Sequence, residues 1–141
     1  MRSAALAYFE AHSYAEGEIS GTLRAALIDQ ASARMKRGFL DALGNFESGR
    51  LPSFRAEQFR RLDADLNATY GKVVKADFSG STFQTSEIRK AQRAWLTYRD
   101  AWVRFGAIKY PTVPAHAWRA NFTRNREAIL RELLSYQTPA Q

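Results

Sequence analysis

The chain has 141 residues, 45% of them hydrophobic and 13% aromatic, with no cysteine and a net charge of +7. That length and apolar content suffice for one domain with its own core and exclude a disordered chain, while the lack of cysteine excludes disulfides, thiolate nucleophiles and cysteine metal sites. No apolar run is long enough to span a bilayer, so an integral membrane protein is excluded, and Met1–Glu10 lacks the long apolar stretch of a signal peptide, which leaves the compartment open.

The periodicity predicts an all-α domain: a bundle of four main helices with a short additional one at the start. The first covers residues 3–13, with Leu6 and Phe9 on one side and Gly17 as its stop. The second runs from about Ile19 to Phe46, where Ile28, Ala31, Met35, Phe39, Ala42 and Phe46 keep helical spacing. Gly44-Asn45 and Ser48-Gly49-Arg50-Leu51-Pro52 then read as stop and turn. Ser53 is the expected N-cap of the third helix, whose stripe is Phe59, Leu62, Leu66, Tyr70 and Val73 and which fades before Ser79-Gly80-Ser81.

Thr85 or Ser86 is expected to cap the fourth helix, with Glu87 in its first turn to complement the helix dipole. Its stripe is Ile88, Ala91, Trp95, Tyr98, Trp102 and Phe105, and Gly106 and Pro111 bracket its end. Pro111-Thr112-Val113-Pro114 starts the last helix, with Trp118, Phe122, Ile129, Leu133 and Tyr136 facing inward. That stripe has a polar break at Asn125 and Arg126, which either meets a partner across the core or points into a groove, since an unpaired buried cation is very costly.

Charge is uneven. Residues 1–50 hold six Lys/Arg and six Asp/Glu, whereas residues 79–110 hold six against two. A basic second half suits an acidic partner, a polyanion or an anionic surface, although ordinary solubility charge is the simpler reading.

The second half contains three blocks: Leu66-Asn67-Ala68-Thr69-Tyr70, then Gln92-Arg93-Ala94-Trp95 with Tyr98-Arg99-Asp100-Ala101, then Thr123-Arg124 with Arg126. In this order and near this spacing they resemble the lysozyme inhibitor LprI-like family of small helical bacterial envelope proteins. The central block is the specific one. The resemblance assigns residues 53–136 to the family's helices and leaves 1–50 as a divergent N-terminal part of a single domain over 1–141. It also implies a cysteine pair in many members at places that are Val103 and Trp118 here. With both replaced, apolar packing is expected to tie the last two helices.

Asn67, Tyr70, Gln92, Arg93, Trp95, Tyr98, Arg99, Asp100 and Arg126 form the candidate polar cluster of the family motif. Gln92 and Arg99 are seven apart, as are Arg93 and Asp100, so each pair shares a helix face. A structural role, fixing helix register through Arg–carboxylate and amide bonds, is favoured over a binding role in which Arg93, Arg99 and Arg126 line a cleft for an acidic or carbohydrate-like group. His12 and His116 are the only histidines, and no catalytic or metal-binding constellation is visible, so no enzyme activity and no cofactor are expected.

The resemblance implies a periplasmic or secreted binding protein that blocks a lysozyme or another muramidase, by a loop or helix end at Gly49–Ser53, Ser79–Ser86 or Ile108–Pro114. An immunity or scaffold protein for another toxin is the alternative. A nucleic-acid-binding module is the lesser reading, because the aromatic residues hold core spacing and the basic residues form no runs. A charge of +7 also opposes association with a strongly basic animal-type lysozyme.

Overall fold

The computed structural model describes residues 1–15, 24–79 and 83–136, with side chains up to 13 in the first helix and from 29 in the second. These residues form five helices and no strand: α1 (Arg2–Ala15), α2 (Arg24–Glu47), α3 (Ala56–Val73), α4 (Thr85–Lys109) and α5 (Ala115–Leu134). The expected all-α single domain, four main helices plus a shorter one at the start, is the observed architecture. Gly17, residues 19–23, the side chains of Tyr14 and Ile28, and Gly80-Ser81 lie outside the described residues.

Packing follows the stripes. α3 lies against α5, α4 against α5, and α1 against both α4 and α2. The core is aromatic: Trp95, Trp102 and Trp118 are each at most 1% exposed. Burying an indole of roughly 150–250 Å² gives roughly 4–6 kcal/mol before ordering costs, so these three side chains dominate the apolar driving force. Trp102 stacks on Trp118 (centroids 6.4 Å apart, planes at 10°) and on Phe122 (5.0 Å, 21°), while Phe46 of α2 sets its edge against both tryptophans. α1 closes the other side, where Tyr8 stacks on Tyr98 at 5.1 Å and Phe9 meets Tyr98 and Phe39 edge-on.

Several local expectations are corrected. Leu6 is 46% exposed; the buried face of α1 is Ala5, Tyr8, Phe9 and Ser13 instead, because that face must meet α4 and α2 together. Ser53 does not cap α3. Arg55 holds the N-cap position in extended backbone and its N–H donates to Gln58 Oε1 at 2.7 Å, so a glutamine three residues on does the capping. Gln84, rather than Thr85 or Ser86, stands at the N-cap of α4.

α4 ends at Lys109, between Gly106 and Pro111 as expected. The lack of a side chain at Gly106 also serves packing, since a Cβ there would collide with the indole of Trp118. Tyr136 is 42% exposed, past the last turn of α5, with its edge against Phe83. Gly49, by contrast, ends α2 as expected: with φ of 85° it reverses the chain where a side chain would be strained.

Val103 packs half-buried against the core and Trp118 is fully buried in it. The α4–α5 contact is therefore made by the Trp102–Trp118 stack and the close approach at Gly106.

Candidate functional site

The polar break in α5 turns inward. Arg126 is 1% exposed, and its Nε donates to Gln92 Oε1 on α4 at 2.8 Å. Its Nη1 lies 3.5 Å from the Tyr8 hydroxyl on α1, and the guanidinium sits 5.7 Å from the centre of the Tyr8 ring. One planar cation thus joins α5, α4 and α1 at a buried point where an amide oxygen and a π face both stabilise positive charge. Asn125, its neighbour, is exposed at the edge of a cavity of about 200 Å³ between α2 and α5, which Arg34, Met35, Phe39 and Ile129 also line.

The other motif residues form a second, separate arrangement. Arg99 is half-buried beside Trp95, its guanidinium 5.2 Å from the ring centre, and Nε and Nη2 both reach Asp100 Oδ1 at 3.2 and 3.1 Å. Asp100 therefore pairs with its sequence neighbour and not with Arg93, which points into solvent. Tyr98 is buried between Tyr8 and Trp102, and burial pushes its hydroxyl up to about 12.

The structure brings Gln92 and Arg126 together, with Trp95 and Tyr98 packed around them. It does not bring Asn67 or Tyr70 to that point. Asn67 is exposed, its amide 3.4 Å from Asp63 on its own helix, and Tyr70 packs half-buried at the core edge. The polar tie from α3 to α5 is made instead by Thr69, whose hydroxyl donates to Glu127 at 3.0 Å. Tyr8 is the partner that sequence reasoning missed: it lies in the divergent N-terminal part, where its place one turn before His12 offered only a core signal. Of the cleft-lining trio Arg93, Arg99 and Arg126, only Arg126 borders the α2–α5 cavity.

At one end of the bundle two connections meet. Lys109 Nζ at the end of α4 bonds Glu47 Oε1 at the end of α2 at 3.1 Å, which sets the α2–α3 turn beside the α4–α5 turn. Ile108 there is 84% exposed. Arg50 folds back on Asn45 Oδ1 at 2.6 and 3.0 Å, and Arg124 covers the Phe54 ring at 5.3 Å, so the α2–α3 connection is held in shape rather than loosely draped.

Among the described residues no three His, Asp or Glu side chains converge as a metal set, and no helix is long and apolar enough to cross a membrane. Fold and site together define a small all-α protein in which Gln92 and Arg126 are bonded to each other inside the core. The family model described as "Lysozyme inhibitor LprI" matches residues 53–130, more than half of the chain and spanning α3, α4 and most of α5. The chain belongs to that family. No curated protein and no solved structure matches it.

Proposed function

We propose that this protein is a non-enzymatic binding protein of the bacterial envelope that occludes the cleft of a cell-wall-degrading muramidase. The observation that carries this reading is family membership over residues 53–130. The bundle end supports it: Gly49–Ser53 and Ile108–Pro114, two of the three connections suited to plugging a cleft, sit side by side across the Lys109–Glu47 bond. A rigid pair of turns with an exposed apolar side chain, Ile108, can enter a groove at low entropic cost. Family resemblance also supports a periplasmic or secreted location.

An immunity or scaffold role for another toxin shares this surface and differs only in the partner. Nucleic-acid binding is disfavoured, because the three tryptophans are sealed in the core where no base can stack on them. A pull-down from envelope extract, run beside purified muramidases of both charge types, tests the proposal. Retention of a muramidase with loss of its wall-clearing activity is the expected result. Recovery of only an unrelated protein, with no muramidase retained, overturns it.

A further inference from the structure

The outer face of α4 carries a row of cations that the core arrangement leaves unused. Arg89, Arg93 and Arg104 are all exposed, and among the described residues none of the three enters an ion pair. At 3.6 residues per turn they fall within an arc of about 60°, along about 22 Å of one helix. The same face presents Leu96, 38% exposed, Thr97, and at its end Ile108, 84% exposed. Its buried side is fixed by Trp95, Tyr98 and Trp102, so the helix that carries the row is held in place.

Two features select among the ligands a row of arginines could take. Leu96 and Ile108 add apolar contact area that a phosphate polymer does not use. Asp100 lies in the middle of the row, its side chain 48% exposed and tied to Arg99. It interrupts the positive field at the point where a uniformly anionic polymer or membrane would run across it. A face that alternates cation, carboxylate and cation beside apolar side chains instead matches a folded protein surface of patterned charge, with carboxylates set to receive planar guanidinium forks.

We infer that the outer face of α4 docks an acidic protein surface on the muramidase, with Arg93 and Arg104 as the charged anchors and Leu96 and Ile108 as the apolar contacts. This rests on the muramidase reading above and sharpens it. The target is an enzyme with an acidic face beside its cleft, and a strongly basic animal-type lysozyme is a poor substitute. The row ends at Ile108, where the Ile108–Pro114 turn begins, so charged docking and cleft entry use one continuous surface.

The test measures association of the full chain with an immobilised acidic muramidase and, in parallel, a basic animal-type lysozyme, at low and moderate salt. Anionic phospholipid vesicles and duplex DNA are further probes. Arg93→Glu and Arg104→Glu are compared with Arg60→Glu, which makes the same charge change at an exposed position of α3. Thermal melts check that all three are folded.

Tighter binding to the acidic enzyme is expected, with at least a tenfold loss in Arg93→Glu and in Arg104→Glu, mainly in the association rate, and less than a twofold change in Arg60→Glu. If the wild type binds a muramidase and the α4 variants bind as well as it does, or Arg60→Glu loses as much, the inference fails while the proposed function stands. If no muramidase is bound, both fail. Binding to vesicles or DNA alone, lost in the α4 variants, gives the face to a polyanion and overturns the inference.

Discussion

Arg126 is the residue on which the interior turns. A fully buried guanidinium is tolerated only where its donors and charge are met, and here Gln92 Oε1 and the Tyr8 hydroxyl and ring meet it from two other helices. Removing either member of the Gln92–Arg126 bond strands a buried polar group, so Gln92→Leu and Arg126→Met should each cost about 2–4 kcal/mol in urea unfolding. The double variant should cost less than the sum by about 1–3 kcal/mol, and strict additivity would show that the two side chains are not coupled. Tyr98 gives a pH signature. Its hydroxyl ionises near 10 when unfolded and is pushed up to about 12 by burial, so its contribution is complete below pH 10 and is lost as pH rises through 12. Wild type should lose about 2–3 kcal/mol more than Tyr98→Phe between pH 9.5 and 12, and parallel pH profiles would rule out that burial cost. The break at Asn125-Arg126 was readable as a polar residue meeting a partner across the core, and Gln92 was within its reach on paper. Tyr8 was not, because a lone tyrosine on an amphipathic helix reads as packing until the fold sets it against a cation.

At the scale of elements, the four longer helices were legible because each keeps a 3.6-residue apolar stripe over three turns or more, whereas α1 was legible from Leu6 and Phe9 alone. Their ends were less so. The start of α3 depends on Gln58 reaching back to the Arg55 N–H, a bond that competes with the simpler signal of a serine after a proline. Gly106 was legible as one bracket of the end of α4, and its second use, letting α4 approach the Trp118 indole, was not. That close approach joins α4 to α5, so Gly106→Ala should destabilise by about 1–3 kcal/mol even though alanine is the better helix former by about 1 kcal/mol. A denaturant midpoint equal to or above that of wild type would contradict the packing role. Leu6 was misjudged for a related reason: a short helix with few apolar positions allows two faces, and contact with both α2 and α4 chooses Tyr8 and Phe9.

For the molecule as a whole, family membership and helix architecture were legible in the motif blocks, and which of the motif's polar residues are buried was not. Gln92 and Arg126 look as polar in sequence as Arg93 and Arg104, yet the first pair is sealed in the core and the second lies in solvent. Net charge likewise located the basic half without showing that part of its excess forms one row along α4. The most direct test separates these two sets of residues by function. In a wall-clearing assay, an acidic muramidase is titrated with wild type and with the Gln92→Leu/Arg126→Met variant, under conditions where circular dichroism shows both folded. If the motif serves the core and the surface serves the partner, both proteins inhibit with the same concentration dependence. A folded double variant that no longer inhibits, or a wild type that leaves the muramidase fully active, would contradict that division.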